Sequence, residues 1–263
     1  MYPEERQQAI AAQVVARGRA SVTELAQAFE VTTETVRRDL ALLDRAGILR
    51  RVHGGAVPAR ALRLVDGLVE PGVDERESSS AGRKQAVARA AAEFLPQSGC
   101  SVLIDAGTTT SRVAALLPPD RELVVVTNSL PTAALLTGIG SVSLQMLGGR
   151  VRGPTRACVG APALDTLAAL RVDVAFLGTN GITVRHGVST PDPDEAAVKR
   201  AMVACANFVV VVADSSKVGC EELVSFAAIE SLDVLVTDSG ISAADRADLV
   251  SEGLEVVVAQ GAA

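Results

Sequence analysis

The sequence predicts an α/β protein with two parts, a small and mainly helical N-terminal domain and a larger domain built on a parallel β-sheet. Three short amphipathic helical segments fill most of the N-terminal part. From Lys84 onward, apolar runs of strand length alternate with Ala- and Leu-rich helical segments. That alternation is typical of a mainly parallel sheet covered by helices on both faces. We expect domains at residues 1–57 and 81–263, joined by a linker at 58–80 that mixes Pro, Gly, Arg and acidic residues.

The N-terminal part predicts three helices with a tight turn between the second and the third. Apolar residues at helical spacing place the first helix at Glu4–Arg17. Ser21, with Glu24 three residues later, forms a capping box that starts the second helix. Thr32 caps a third helix that extends to Arg45. This arrangement is a helix-turn-helix, whose last helix can enter the major groove of DNA.

Most of the candidate DNA contacts lie at the start and on the face of the third helix and in the segment after it. Val36, Leu40 and Leu43 repeat at helical spacing and must face the core, so the neighbouring arginines face outward. A strand at 48–52 and a turn at 53–55 predict a basic wing that can lie along the DNA backbone. Arginine suits both guanine edges and phosphate oxygens. The candidate DNA-binding residues are Ser21, Thr32, Thr33, Thr35, Arg37, Arg38, Arg50, Arg51 and His53.

The charge is distributed unevenly along the chain. The net charge is −6, yet residues 1–60 hold nine Arg against seven Asp and Glu, and no acidic residue lies between Asp44 and Asp66. A local positive field attracts DNA phosphates even in an acidic protein. With no Trp, one Tyr and five Phe, the chain lacks the rings on which RNA and single strands stack. We therefore expect double-stranded DNA as a partner. The alternative is that Arg37 and Arg38 only form a solvated helix face, as an isolated arginine pair usually does.

The composition argues against a membrane, secreted or metal-binding protein. Apolar runs such as Phe208–Ala213 have strand length and are too short to cross a bilayer. The N-terminal residues are charged and polar and form no apolar signal segment. The four cysteines show no CxxC spacing, and only two histidines are present. We expect free thiols in a reducing cytoplasm, with no metal and no cofactor.

Five predicted strands of the larger part are each followed by a polar loop. Ligands of parallel sheets bind beyond the carboxyl ends of the strands, so these loops share one edge. The loop Asp105–Thr110 combines a glycine with three threonines directly before a helix, which suits an anion. One such loop alone is typical of an ordinary turn, whereas five together predict a polar, anionic ligand. The candidate residues are Asp105, Gly107, Thr108, Thr109, Thr110, Thr127, Asn128, Ser129, Gly149, Arg150, Arg152, Asn180 and Lys217.

The run VTTETVRRDLALLDRAGILRRVHGGA, from Val31 to Ala56, resembles the signature of the DeoR family of bacterial transcription regulators. The resemblance covers the recognition helix and the wing without a gap, which implies a winged helix-turn-helix. The family usually has Gly in the turn where this chain has Glu30. Glu30 would then need a left-handed backbone, at a cost of about 1 kcal/mol.

The larger part, from Lys84 to about Asp238, resembles the C-terminal sensor domain of the same family. The resemblance implies a Rossmann-like α/β sensor domain that is similar in fold to ribose-5-phosphate isomerase. The segments that carry it are DAGTTT, VVTNS, LGGRV, VDVAFLGTNGI, STPDPDEAAVKRAM and VVADSSK.

The same resemblance implies roles for individual residues. Thr108–Thr110 would hold a phosphate, and the residues around the sugar would be Thr127, Asn128, Asn180, Glu195 and Lys217. Lys199, one turn after Glu195, is a further candidate, with an exposed ion pair between the two as the alternative. The family usually has Asp at the position of Asn180, and an amide cannot transfer a proton as a carboxylate can. Asn180 therefore favours recognition over isomerase turnover.

The resemblance implies a repressor that a phosphorylated sugar releases from operator DNA, acting as a homodimer or homotetramer. The start MYPEERQQAI and the match through Arg60 further resemble the regulators of fructose uptake, so fructose 1-phosphate is the preferred effector. Two alternatives stay open. Turnover of a sugar phosphate would indicate a sugar-phosphate isomerase-like enzyme that carries a DNA-binding domain. Indifference to DNA sequence and to ligand would indicate an architectural DNA binder.

Overall fold

The chain divides into two compact units, Met1–Glu70 and Pro71–Ala263. This division falls inside the linker that we predict at 58–80. The computed structural model describes residues 3–17, 20–45, 48–52, 54–58, 70 and 72–260. Within these ranges, side chains are not described at 3, 4, 15–17, 45, 50, 52, 57 and 58. No helix in the described ranges combines the length and the apolar character needed to span a bilayer.

The described part of the first unit contains three helices and a small antiparallel sheet. The elements are α1 (Pro3–Arg17), β1 (Ala20–Ser21), α2 (Val22–Ala28), α3 (Thr33–Arg45), β2 (Leu49–Val52) and β3 (Gly55–Pro58). The strands follow the order β1-β3-β2, and the β2-β3 hairpin is the predicted wing. Ser21 and Glu24 exchange hydrogen bonds between side chain and main chain, which confirms the capping box. The unit is therefore a winged helix-turn-helix, as the sequence predicts.

The three helices pack on one apolar core. Val36, Leu40 and Leu43 of α3 are buried, as predicted, and share this core with Ile10 of α1 and Leu25 of α2. Burial of each such side chain contributes about 1.5–3 kcal/mol. The spacing of the three α3 residues leaves the opposite face of that helix to solvent.

A buried carboxylate also holds α1 against α3. Asp39 accepts hydrogen bonds from Arg6 Nε at 2.7 Å and from Gln7 Nε2 at 3.0 Å. A buried charge is tolerated only when it is paired and hydrogen-bonded. Asp39 therefore fixes the orientation of α3 on α1, and with it the direction in which the outer face of α3 points.

The second unit has a main sheet of seven strands, together with seven α-helices, among the residues that the structure describes. The strands of the main sheet are β4 (Ser101–Ile104), β5 (Leu123–Thr127), β6 (Val142–Met146), β9 (Val172–Gly178), β12 (Ala206–Val212), β14 (Val234–Asp238) and β15 (Glu255–Ala259). The helices are α4 (Val73–Ser78), α5 (Ala81–Ala91), α6 (Thr108–Ala114), α7 (Leu130–Leu136), α8 (Ala161–Ala168), α9 (Pro193–Cys205) and α10 (Ala243–Ser251). The sheet order is β15-β14-β12-β9-β4-β5-β6, and all neighbouring strands run parallel.

Helices cover both faces of this sheet. Successive residues of a strand point to opposite faces. In β12, Val209 and Val211 belong to the apolar core on one side, which includes residues of α8, α9 and α10. Val210 and Val212 belong to the core on the other side, which includes residues of α5, α6 and α7. The predicted parallel sheet with two covered faces is therefore confirmed.

Two small antiparallel sheets and one helix lie outside our sequence-based expectation. The sheets consist of β7 (Arg150–Arg152) with β8 (Ala157–Val159), and of β10 (Gly181–Thr183), β11 (Gly187–Thr190) and β13 (Val224–Ala227). The helix is α4, which lies within the predicted linker. These elements have three to six residues, which is too few for a periodic pattern to stand out.

Glu30 provides a test of backbone strain in the first unit. It adopts a φ of +53°, the left-handed conformation that the sequence predicts. Glu30→Gly should raise the free energy of unfolding by about 1 kcal/mol, because glycine reaches this conformation without a Cβ clash. Gln27→Gly, on the exposed side of α2, is the control and should lower it by about 0.5–1 kcal/mol. Chemical denaturation followed by circular dichroism measures both, and a Glu30→Gly protein no more stable than the parent would refute the strain.

Candidate functional site

The carboxyl ends of three central strands meet at one edge of the main sheet. β4 ends at Ile104, β9 at Gly178 and β12 at Val212, and these strands are neighbours. From β4 the strands continue through β5 and β6 to one side, and from β9 through β12, β14 and β15 to the other. The position between β4 and β9 is therefore a topological switch point, where parallel sheets bind their ligands.

A cleft of about 90 Å³ opens at this switch point. Such a space accommodates several water molecules, or the polar groups that displace them. Many of the residues that the sequence analysis selects are found together here. Those that line the cleft are Gly107, Thr108, Thr109, Thr110, Asn180, Glu195, Lys199 and Lys217.

The loop between β4 and α6 forms one wall of the cleft. The hydroxyls of Thr108 and Thr109 are buried beside it, and the Thr110 hydroxyl donates to the Gly107 carbonyl at 3.0 Å. A Cβ at Gly107 would lie 3.0 Å from the Thr110 hydroxyl oxygen, so a larger residue here would require that side chain to shift. Main-chain N–H groups in the first turn of a helix have no acceptor within that helix. This wall can therefore donate hydrogen bonds to the oxygens of an anion.

A buried ion pair forms the base of the cleft. Lys199 Nζ donates to Asp105 Oδ2 and, at 2.9 Å, to the carbonyl of Gly178. Asp105 also accepts from the Gly178 amide at 3.2 Å. Only 5% of Lys199 and 1% of Asp105 are exposed. Burial raises the pKa of the Asp105 carboxyl, although the Lys199 charge opposes the rise. Lys199 therefore lines the cleft, and Asp105 holds Lys199 in place without lining the cleft itself.

Glu195 reaches the cleft from the first turn of α9. Its carboxylate accepts hydrogen bonds from the Thr155 hydroxyl and, at 3.3 Å, from Arg152 Nη1. Arg152 also pairs with Asp192 at 2.8 Å. Glu195 is 5% exposed, like Lys199, and the two residues have different charged partners. The alternative of an exposed ion pair between Glu195 and Lys199 is therefore wrong.

Three candidate residues at the end of β5 and directly after it lie outside the lining of the cleft. The Thr127 hydroxyl donates to the Ile104 carbonyl at 2.6 Å. The side-chain oxygen of Asn128 accepts from the Ala106 amide at 2.9 Å, and Ser129 caps α7. All three are buried. Thr127 and Asn128 therefore hold the end of β4 and the loop after it in place, whereas Ser129 fixes the start of α7.

Gly149, Arg150 and Arg152 also lie outside the lining. Gly149 has a φ of +126°, and a Cβ there would lie 2.4 Å from the carbonyl oxygen of Val159, so glycine is required. Arg150 forms an exposed ion pair with Asp194. Arg152 is joined to the cleft through its contact with Glu195. These two cations are therefore engaged in ion pairs within the protein.

Other polar residues of the lining are not among the selected candidates, although three of them lie in two of the five predicted polar loops. Those in the loops are Thr179, Asp214 and Ser216, and the others are Arg76, Ser79, Ser80, Lys84 and Thr155. For Lys84 a signal exists, because it shares the buried face of α5 with Val87, Ala88 and Ala91. Lysine is almost never buried unless it is paired or functional. The rest lie mostly in turns and short helices, where no periodic pattern marks the side that faces a ligand.

Lys84 places an ammonium group in the wall of the cleft. The residue is 6% exposed, and its Nζ donates to the carbonyl of Arg76. Burial lowers the pKa of Lys84 to about 8 from the ordinary 10.5, against the opposing charge of Asp214 and with a further lowering by Lys217. An anion bound nearby would favour the charged form of Lys84.

The outer face of α3 carries two exposed arginines. The side chains of Arg37 and Arg38 are 55% and 80% exposed, and they lie 3.7 and 3.5 Å from Glu34. Exposed ion pairs of this kind are weak. Both guanidinium groups are therefore available to DNA, as are the exposed Thr33 on the same helix and Arg51 on the wing.

The remaining DNA-contact candidates either have structural roles or lie outside the residues that the structure describes. The side-chain oxygens of Ser21 and Thr32 cap α2 and α3. The Thr35 hydroxyl lies 2.9 Å from that of Thr32. The side chain of Arg50 and the whole of His53 lie outside the described residues. The described candidates thus lie at two helix starts and on the wing, where a winged helix-turn-helix contacts DNA.

The lowered pKa of Lys84 predicts a pH-dependent stability. Between pH 8 and 10.5 the unfolded chain retains a proton that the folded chain has released, so the free energy of unfolding rises with pH. Relative to Lys84→Met, the wild-type protein should gain up to about 3 kcal/mol over this range. Denaturant titrations at several pH values measure the difference. Arg89→Met, which removes an exposed charge from the same helix, is the control. Parallel curves for wild type and Lys84→Met would exclude the shift.

Two protein-family models match the chain. The DeoR-like helix-turn-helix domain matches residues 6–60, and the DeoR C terminal sensor domain matches residues 79–239. The chain is 37% identical to the HTH-type transcriptional regulator GlpR of Haloferax volcanii, over 98% of both chains. It is 33% identical to the putative aga operon transcriptional repressor of Escherichia coli O157:H7, over 97% of this chain and 93% of that one.

A third relative is the uncharacterized HTH-type transcriptional regulator FruR of Bacillus subtilis, which is 35% identical over 91% of this chain and 92% of that one. Among solved structures, the chain is similar to ribose 5 phosphate isomerase A from Neisseria gonorrhoeae. That similarity covers 52% of this chain and 53% of the other, with 16% identity and a TM-score of 0.39. The matched domains and the full-length relatives show the family: the chain belongs to the DeoR family of transcriptional regulators.

Proposed function

We propose that the chain is a transcriptional repressor that binds operator DNA through its first unit and is released by a phosphorylated sugar bound in its second unit. The observation that carries this proposal is the cleft at the switch point, whose lining combines lysines with buried hydroxyls. The same chain carries an arginine-bearing recognition helix. The name of the aga operon repressor supports repression as the mode of control.

The chemistry of the lining suits a sugar phosphate. Thr108–Thr110 can donate to phosphate oxygens, and Lys84 and Lys217 supply positive charge. Glu195 and Asn180 offer acceptors and donors to sugar hydroxyls. Fructose 1-phosphate is the preferred effector, on the resemblance of the N-terminal sequence to regulators of fructose uptake.

A thermal-shift comparison tests the choice of effector. Fructose 1-phosphate should raise the melting temperature more than fructose 6-phosphate, ribose 5-phosphate or glycerol 3-phosphate, because a ligand specific for the folded state stabilises it. A larger shift with another of these compounds would reassign the effector. The absence of a shift with all four would contradict the proposed sensor.

DNA and effector act on each other through linkage. If a sugar phosphate prefers a conformation that fits the operator poorly, it lowers the DNA affinity, and DNA lowers its affinity by the same factor. A coupling of about 1–3 kcal/mol gives about 5–150-fold control. Two recognition helices on symmetric half-sites require a homodimer or a homotetramer.

Recognition without turnover fits the lining better than isomerase activity does. Asn180 lies in the cleft, and its amide forms hydrogen bonds but cannot take up and return a proton. Incubation with the four sugar phosphates, followed by product detection, distinguishes the two functions, since conversion would identify an enzyme. The four cysteines are free, which supports a cytoplasmic location.

Removal of the α3 arginines should weaken operator binding. Arg37→Ala and Arg38→Ala should each cost about 1–3 kcal/mol of DNA-binding free energy if the residue contacts a base. Arg246→Ala removes an exposed arginine from α10 and should leave the affinity unchanged. Titration of the promoter region of the chain's own gene, by fluorescence anisotropy at fixed salt, measures all three. Unchanged affinity in both α3 variants would exclude α3 as the recognition helix.

A carboxylate at the start of α6, beside the cleft, should prevent effector binding and leave the affinity for DNA unchanged. Thr109→Glu places a negative charge in the cleft, where it repels a phosphate. The variant should bind the promoter DNA with the wild-type affinity and resist release by fructose 1-phosphate. Ala115→Glu adds a carboxylate at the exposed end of α6 and should behave as wild type. Release of the Thr109→Glu protein at the wild-type effector concentration would place the phosphate elsewhere.

A further inference from the structure

The first helix after the boundary between the units is also part of the cleft wall. α4 begins at Val73, two residues after the second unit begins at Pro71. Arg76, Ser79 and Ser80 line the cleft. We define Val73–Ser80 as the α4 segment. This segment is continuous both with the connection to the first unit and with the ligand site.

Polar contacts hold the α4 segment in place. None of the residues in α4 is buried, so no apolar core anchors the helix. The Val73 amide donates to the Pro154 carbonyl at 2.7 Å, and Asp74 pairs with Arg156 at 2.6 Å. Both partners belong to the turn between β7 and β8. Exposed contacts of this kind stabilise a segment only weakly, so small changes in the cleft can shift its position.

A second set of contacts connects the α4 segment to the start of α6, where Thr108–Thr110 are proposed to bind the phosphate. Glu77 pairs with Arg112 of α6 at 2.7 Å. Arg112 also donates to the carbonyl of Thr108, in the first turn of α6, at 3.1 Å. The residue that holds Glu77 therefore also contacts the main chain of a residue that lines the cleft.

Lys84 makes the position of the segment sensitive to an anion. Its ammonium group lies in the cleft wall and donates to the main-chain carbonyl of Arg76. An ammonium group binds an anionic oxygen more strongly than a neutral carbonyl. An anion in the cleft therefore competes with the α4 segment for Lys84, and it also attracts the Arg76 side chain.

We infer that the α4 segment couples occupancy of the cleft to DNA binding, an inference that rests on the proposed function. Without an anion, Lys84 and the ion pairs of Asp74 and Glu77 favour one arrangement of the segment. A bound sugar phosphate recruits Lys84 and Arg76 and favours another. Because the segment is continuous with the chain that leads to the first unit, a change in its position alters the connection between sensor and DNA-binding unit.

A double variant with weakened attachment tests this coupling. Asp74→Asn with Glu77→Gln removes both ion pairs while leaving the residues that line the cleft intact. The control is Glu221→Gln, which breaks the ion pair with Arg185 outside the lining. Each full-length protein is titrated with promoter DNA, with and without saturating fructose 1-phosphate. The ratio of the two dissociation constants is the coupling factor.

The double variant should lose coupling and keep its ligand site. Its coupling factor should fall at least about fivefold, toward one. Its Kd for fructose 1-phosphate without DNA, from calorimetry, should stay within about threefold of wild type, because the lining is intact. Glu221→Gln should retain the wild-type coupling factor.

Hydrogen exchange of the wild-type protein gives a readout that does not depend on how the variants fold. Addition of fructose 1-phosphate should change the exchange of amides in residues 73–80, while those of α10 should stay constant.

The outcomes separate the inference from the function on which it rests. Suppose that fructose 1-phosphate releases the wild-type protein from DNA. If it then leaves the amide exchange of residues 73–80 unchanged, or if the double variant has the wild-type coupling factor, the inference is overturned and the repressor function stands. If wild type neither binds promoter DNA nor responds to fructose 1-phosphate, the proposed function fails and the inference with it.

Discussion

The buried ion pair between Asp105 and Lys199 is the interaction on which the site depends. Removal of one partner from a buried pair typically costs about 3–5 kcal/mol, because the other charge is left uncompensated. Here Gly178 adds a donor for Asp105 and an acceptor for Lys199. The pair thereby joins the end of β4 to the end of β9 and to α9. It fixes the relative positions of the strands at the switch point where the cleft forms.

Burial and neighbouring charges shift the pKa values of two charged residues around the cleft to different extents. Asp214 has a lowered pKa, since Lys217 and the Ser216 hydroxyl more than offset the effect of burial. Lys84 is the opposite case, because the effect of burial on its pKa exceeds the help from Asp214. The folded protein thus holds a lysine that releases its proton more readily than an ordinary lysine does, and a bound anion would favour its protonated form. Anion binding and protonation of Lys84 are therefore linked, in the same wall that contacts α4.

Local patterns in the sequence were sufficient to predict most of the fold. The spacing of Val36, Leu40 and Leu43 depends only on the helical repeat, and the structure confirms the buried face of α3. The strands of the main sheet could likewise be located from their apolar runs and from the loops between them. Thr108–Thr110 could be selected because the end of a strand and the start of a helix are adjacent in sequence. The left-handed backbone of Glu30, in contrast, was implied by the glycine that the DeoR family usually has at this position, and the structure confirms it.

The rest of the site was decided by contacts between residues far apart in the chain. Thr127 and Asn128 are polar residues at the carboxyl end of a strand, like residues that line the cleft, yet they bond to the neighbouring strand and loop. Lys84 and Arg76 enter the cleft because α4 and α5 pack beside α6, which no local pattern specifies. The sequence by itself determined which segments become helices, strands and polar loops, since that depends on neighbouring residues. Only the tertiary structure decided which polar groups face the ligand, since that depends on the packing of distant segments and on which charges they leave buried together.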